Sequence, residues 1–263
     1  SEVEKFEKEL TNYLGRQAIC VTNGTAALQL SLQAAGIGTG DEVLVQSLTY
    51  LASFQAIKAA GATPIPCDVN LENITINLND AKNKLSKRTA AIMPVHYAGE
   101  PGDLDEIYNF ANKYKIRVIE DAAHAFGSTY KGKKIGSFGD IACFSFDGIK
   151  NITSGEGGCI SSSDNHLISK VKDLRLLGVL KDSEKRYSNQ RTWVPEVQDQ
   201  GWRYHMSDVM AAIGRVQLGR LDEFSQKRKE LALYYDALLA QSNNINYLNH
   251  NYENINPHIY PII

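Results

Sequence analysis

Apolar positions along the chain recur first at helical spacing and then in short runs. Val3, Phe6, Leu10 and Tyr13 fall on one face of a helix, and Gly15 follows as a stop signal. The pattern then alternates. Residues 17–22 read as a strand, Asn23-Gly24 as a turn, and residues 25–35 as a helix rich in Ala and Leu. Further strands are predicted at Glu42–Gln46, Ala62–Cys67, Ala90–Val95, Arg117–Glu120 and Ile141–Phe146, with helices at Leu51–Ala60 and Leu104–Tyr114. Short apolar runs separated by helices predict βαβ units. The expected fold is therefore α/β, with a mainly parallel central sheet covered on both faces.

Beyond this core the pattern loosens. Residues 181–191 (KDSEKRYSNQR) are the most polar stretch and read as a solvated loop, the alternative being contact with an anionic ligand. From Ser207 onward, Met210, Ile213, Val216, Gln217 and Leu221 stand at helical spacing, and a second helical stretch runs to about Leu239. Residues 243–263 are rich in Asn, Pro and Ile and end on an apolar run, which reads as the start of another domain. The expected division is a large α/β domain over residues 1–240 and the beginning of a small C-terminal α+β domain over 241–263.

Composition narrows the class. A chain of 263 residues that is 43% hydrophobic and 22% charged can bury a sizeable core and is not wholly disordered. Lys+Arg total 28 and Asp+Glu 30, so the net charge of -2 gives no push towards nucleic acid or an anionic membrane. Cys20, Cys67, Cys143 and Cys159 are widely spread, without a CxxC pair, and read as reduced, buried thiols. No apolar run approaches the roughly 18 residues that span a bilayer. The opening SEVEKFEKEL is charged where a signal peptide is apolar. A cytoplasmic enzyme is expected, without a membrane or nucleic-acid partner. No metal is expected either, because His205 and His258 have no partner at ligand spacing.

Three places gather small and polar residues just after strands, where open α/β sheets bind ligands. Thr22-Asn23-Gly24-Thr25 precedes a helix, so its backbone N–H groups offer an anion site; the plainer alternative is a glycine turn with a helix cap. Val118–His124 ends a strand in adjacent carboxylates and puts Asp121 at the ligand edge, unless Asp121 only caps the next element. Ala122 and Ala123 leave room for something flat. Phe144–Gly158 places Lys150 in a turn bracketed by glycines. A desolvated lysine there has a lowered pKa and can form a Schiff base with a carbonyl. The order GxxxxGK[ST] is absent, which excludes a Walker-type phosphate loop. An anion cradle, a carboxylate and a lysine on one sheet edge are the set that pyridoxal 5′-phosphate needs. His96 in PVHYAG follows a strand and is read either as approaching this site or as structural support, and Trp193 and Trp202 as packing.

Several motifs resemble the DegT/DnrJ/StrS group of pyridoxal-phosphate-dependent sugar aminotransferases. They are NGTAAL (23–28), DEVLVQSLTYLAS (41–53), EDAAHAFGS (120–128), SFDGIKNITSGEGG (145–158) and GWRYHMSDVMAAIGRVQL (201–218). The resemblance covers nearly the whole chain. It implies the fold-type-I transferase architecture, three layers αβα, and a homodimer with active sites at the subunit interface. It also implies that Lys150 holds the cofactor as a Schiff base and shuttles the proton, and that Asp121 pairs with the pyridine nitrogen. Tyr50 then stacks on the ring, Gly24, Thr25 and Ser145 hold the phosphate, and His124 sits near the ring hydroxyl. Arg203 stands where an Asn often completes the phosphate site from the partner subunit, Asp147 replaces a usual His, and Leu177 stands where many members carry His. The implied reaction moves an amino group, from glutamate, to a keto group of a nucleotide-linked deoxysugar. The retained Lys150 argues against the dehydratase branch, which has His there. The alternatives are an acceptor that is a non-nucleotide cyclic ketone such as an inosose, and a catalytically inactive, cofactor-binding regulatory homologue.

Overall fold

A computed structural model describes residues 1–179, 196–242, 244–248 and 250–262; the polar stretch 181–191 and Trp193 lie outside them. The elements in chain order are α1 (Glu2–Leu14), β1 (Ala18–Val21), α2 (Gly24–Ala34), β2 (Glu42–Gln46), α3 (Ala52–Ala59), β3 (Thr63–Cys67), α4 (Leu78–Asn83), β4 (Thr89–Met93), α5 (Leu104–Tyr114), β5 (Arg117–Asp121), β6 (Thr129–Tyr130), β7 (Lys133–Lys134), β8 (Ile141–Ser145), β9 (Gly158–Ser162), α6 (Asn165–Leu174), α7 (Asp208–Leu218) and α8 (Leu221–Leu239).

Seven strands form one sheet in the order β1-β9-β8-β5-β4-β2-β3, and β6 and β7 form a separate hairpin. The run β8-β5-β4-β2-β3 is parallel, whereas β9 lies antiparallel to both β1 and β8. Within the seven-stranded sheet every strand but β9 therefore points the same way, and their carboxyl ends share one edge. The outer strand β3 reads TPIPC, and Pro64 and Pro66 fit because a strand paired on one side can spare alternate N–H groups.

Alternation along the strands sorts side chains onto two cores. Ile19, Val21, Val43, Val45, Ile119, Ile141 and Cys143 pack with α2, α3 and α6 on one face. Cys20, Leu44, Ile92, Val118, Ala142 and Phe144 pack with α1 and α5 on the other. The result is the three-layer αβα arrangement expected above, with the four cysteines free and buried. The apolar face of α1 is buried at Phe6, Leu10 and Leu14; Ser1 caps its start and Gly15, at φ 72°, ends it. Helix α7 lies across α1 so closely that a Cβ on Gly214 would stand 2.6 Å from the Phe6 ring.

The short elements α4, β6 and β7 escaped the sequence pattern, and so did two longer ones, β9 and α6. Strand β9 (GCISS) is buried along its whole length, so it shows no alternation, and its small residues resemble a loop. Helix α6 follows directly, capped by Asp164, whose carboxylate accepts from the His166 and Leu167 N–H groups. Among the described residues no helix is long and apolar enough to cross a membrane.

Candidate active site

The carboxyl ends of β1, β2, β4, β5 and β8 carry the candidate residues. After β1 the chain turns directly into α2. The Asn23 side chain accepts from Ala26 N–H at 2.8 Å and its carbonyl accepts from Ala27 N–H at 3.1 Å. This cap leaves the Gly24 and Thr25 N–H groups without a partner among the described residues, at the positive end of a buried helix. Close packing shapes the same place. A Cβ on Gly24 would stand 2.8 Å from Ser145 Cβ, and one on Gly158 would stand 2.5 Å from the Asn23 carbonyl. Free donors, a serine hydroxyl and glycines that admit a close approach form a cradle suited to a phosphate.

The adjacent carboxylates at the end of β5 separate onto opposite faces, as strand periodicity requires. Asp121 is buried on the α3 side, where Oδ2 accepts from Ser53 Oγ at 2.7 Å and Oδ1 from Ala123 N–H at 3.2 Å. Thr49 Oγ1 lies 2.7 Å from Ser53 Oγ, so the loop that carries Tyr50 is tied to the carboxylate through two hydroxyls. Burial raises the Asp121 pKa, against the lowering effect of these donors and of the His96 and Lys150 charges. No ion-pair partner lies against it among the described residues, so a cationic ring nitrogen suits the position.

Glu120 faces the other way. It accepts from Tyr108, whose oxygen accepts from Asp140 N–H at 2.8 Å, and it lies 2.8 Å from His96 Nε2. His96 is fully buried and supports the strand ends from beneath, its N–H donating to the Asp121 carbonyl at 3.0 Å. Of its two readings, structural support is the one its contacts fit.

Lys150 sits in the turn after β8. Its N–H donates to the Asp147 carbonyl at 3.0 Å, and Arg228 on α8 donates to the carbonyls of Lys150 at 3.1 Å and Asn151 at 2.7 Å. Burial lowers the lysine pKa, opposed by the Asp121 and Asp147 charges. Lys150 thus meets two carboxylates, Asp121 at the end of β5 and Asp147 in its own turn. Asp147 donates its N–H to Ser145 Oγ at 3.3 Å, joining the lysine turn to the cradle. His124 follows Asp121 by three residues, with Nδ1 accepting from Ala98 N–H at 3.4 Å. Tyr50 is exposed at the rim.

Arg203 is also exposed, and among the described residues no contact joins it to Lys150, Asp121 or Ser145. Its neighbour Tyr204 accepts from Thr22 N–H at 2.8 Å, which sets this segment beside the cradle. Trp202 stacks on Tyr204 at 5.6 Å and donates to Gln33 Oε1 at 3.0 Å, so it is packing, as expected. Sequence reasoning missed Ser53, Thr49 and Arg228. The first two lie within the quoted segment 41–53, one helical turn apart, but Arg228 carries no local signal.

Comparison with known proteins identifies the family and the fold. The family model for the DegT/DnrJ/EryC1/StrS aminotransferase family matches residues 1–263. GDP-perosamine synthase of Caulobacter vibrioides is 45% identical over 245 residues, 92% of this chain and 63% of that protein. Among solved structures, Streptomyces venezuelae DesV in complex with a ketimine intermediate superposes with a TM-score of 0.88 at 32% identity, over 100% of this chain and 68% of that one. Bacillus subtilis NtdA with bound cofactor PMP gives a TM-score of 0.88 at 29% identity, over 100% and 58%. The chain spans 60–63% of the length of the curated relatives it matches. The fold is that of the fold-type-I pyridoxal-phosphate enzymes, and the chain belongs to the DegT/DnrJ/EryC1/StrS aminotransferase family.

Proposed function

We propose that the protein is a pyridoxal-phosphate-dependent aminotransferase that moves an amino group, from glutamate, to a keto group of a nucleotide-linked deoxysugar. The observation that carries the reading is the convergence of a free-donor cradle, a buried carboxylate and a partly desolvated lysine on one sheet edge. The GDP-perosamine synthase relative favours a nucleotide-linked acceptor.

Each residue has a definite task. The Gly24 and Thr25 N–H groups and the Ser145 hydroxyl hold the phosphate, and Asp121 holds a proton on the ring nitrogen. Tyr50 covers one face of the ring. His124 meets the ring hydroxyl, and Arg203 of one subunit completes the phosphate site of the other. Lys150 Nζ, less basic than a solvated lysine, holds the cofactor covalently. Released from that bond, the Lys150 amine would serve as the base and acid that moves the proton of the substrate's amine-bearing carbon. The cofactor, when bound, would supply the electron sink that makes this proton transfer feasible.

Tyr50, Leu51, Ile149, Val209, Ile213 and Val216 all expose apolar surface, which supports a homodimer. In this reading residues 1–240 form the large cofactor domain, 241–263 lead into a smaller one, and the enzyme works in the cytoplasm.

The test is borohydride reduction of the full-length protein loaded with pyridoxal phosphate, for wild type and Lys150→Ala, followed by peptide mapping. The wild type is expected to carry the label on Lys150 and the variant to carry none. Unreduced wild type incubated with glutamate and a nucleotide-linked ketosugar is expected to release 2-oxoglutarate. A wild type that takes no label at Lys150 overturns the reading, and an uncharged cyclic ketone as the preferred acceptor overturns the substrate class.

A further inference from the structure

The segment 254–258 crosses the loops that follow β4, β5 and β8. Thr129 N–H donates to the Asn254 carbonyl at 2.7 Å, and Asn256 N–H to Ser128 Oγ at 3.0 Å. Asn256 Nδ2 donates to the Phe126 carbonyl at 2.8 Å, while Asn151, beside Lys150, donates to the Asn256 carbonyl at 3.2 Å. Asn256 fills a slot with glycine walls. A Cβ on Gly127 would lie 2.7 Å from Asn256 Nδ2, and one on Gly99 would lie 2.8 Å from the Asn256 carbonyl.

With Asn256 fixed, the next residue but one has little freedom. The His258 ring packs on the His124 ring at 4.3 Å between centroids and 48° between planes, and Tyr97 touches His124 from elsewhere at 5.8 Å. Ala98 N–H donates to His124 Nδ1, so the proton of the neutral ring sits on Nε2, and that nitrogen is a donor. His258 Nδ1 is buried with no hydrogen-bond partner among the described residues, and what joins His258 to His124 is the contact between their rings.

We propose that His258 is a positioning residue of the active site, holding His124 by ring contact as a neutral Nε2–H donor and keeping a second positive charge away from Lys150. The groups facing the pair favour this state. Burial disfavours a proton on either ring, and each ring meets the Lys150 charge; Arg228 also repels a proton on His258, and Asp147 alone attracts one. His124 is pulled down to about 2 and His258 to about 4, from 6.5 for a free imidazole. That the Nε2–H meets the cofactor's ring hydroxyl rests on the function proposed above, but the tautomer does not.

The test therefore uses cofactor-free, full-length protein. Nitrogen-15 NMR of histidine side chains between pH 5 and 8, with His124 assigned by its loss in His124→Gln, reads tautomer and protonation directly. Wild type is expected to show His124 as Nε2–H throughout. His258→Phe retains a ring against His124 and is expected to leave that signal unchanged. His258→Ala admits water and is expected to raise the His124 proton affinity at least tenfold, with Nδ1–H becoming populated. A wild-type His124 that titrates near 6.5, an altered tautomer in His258→Phe, or an unaltered His124 in folded His258→Ala overturns the proposal. Should pyridoxal phosphate fail to label Lys150 while these signals behave as expected, the functional reading falls and the histidine pair stands.

Discussion

Gly158 is the first residue of β9, opposite Val21 on one side and Ser145 on the other. In Gly158→Ala the new Cβ would stand 2.5 Å from both the carbonyl carbon and oxygen of Asn23, and 2.9 Å from Gly24 N. Ordinary contact between such atoms needs roughly 3.5 Å, so the turn must retreat by about 1 Å. The Asn23 carbonyl accepts the first hydrogen bond of α2, so the displacement passes straight into the cradle. Overpacking of this kind costs about 1–3 kcal/mol, and alanine recovers about 0.5–1 kcal/mol of the entropy that glycine loses in a strand. The net expectation is a loss of about 1–2 kcal/mol. A displaced Gly24 or Thr25 N–H also gives up one charge-assisted hydrogen bond, about 1.5–3 kcal/mol, which weakens phosphate binding roughly 10- to 100-fold. Urea unfolding of the cofactor-free protein reads the first quantity, and titration with pyridoxal phosphate and with inorganic phosphate reads the second. Gly148→Ala is the control. Its Cβ meets nothing nearer than the Gly155 carbonyl oxygen at 4.0 Å, and its backbone lies outside the left-handed region, so about 0.5 kcal/mol or less is expected. Equal midpoints and equal affinities in the two variants would refute the reasoning.

Two further substitutions probe the carboxylates of β5. Ser53→Ala removes the hydroxyl that favours ionised Asp121, so the carboxyl holds its proton to higher pH. Pyridoxal phosphate binding is expected to weaken about tenfold, and more at pH 6 than at pH 8, as measured by visible titration at the two values. Tyr108→Phe strips Glu120 of a buried donor and Asp140 N–H of its acceptor, and is expected to cost about 1–3 kcal/mol in urea unfolding with cofactor affinity little changed.

Local chemistry decided what could be read from the chain alone. Helix α5 was legible to its ends because Asp103 caps it and its apolar residues keep to one side. Strand β9 was not, because its buried hydroxyls look polar in the sequence; Ser161 donates to the Gly136 carbonyl at 2.9 Å and Ser162 to the Asp140 carbonyl at 2.8 Å. Lys150 and Asp121 stood out because each follows or ends an apolar run, whereas Ser145 came only with the family resemblance. Glu120 and Asp121 are neighbours in sequence, and only the pleat showed that they serve opposite faces. Arg228 and Asn256 gave no signal, since each works through backbone carbonyls 77 and 130 residues away, which any residue could supply.

The reversal of β9 has a consequence for the order in which the molecule assembles. Strand β1 lies at the edge of the sheet, and among the described residues its one ladder is with β9, roughly 140 residues later. At 5–20 residues per second, β1 leaves the ribosome on the order of 10 s before its partner exists. Until then the strand that aims the phosphate cradle has no register, while β2, β3, β4 and β5 can already pair among themselves. Closing so long a loop is entropically costly, so docking of β1 belongs to the late, slow part of folding. On the proposed function, a cofactor held by that cradle would select chains that have completed this last step.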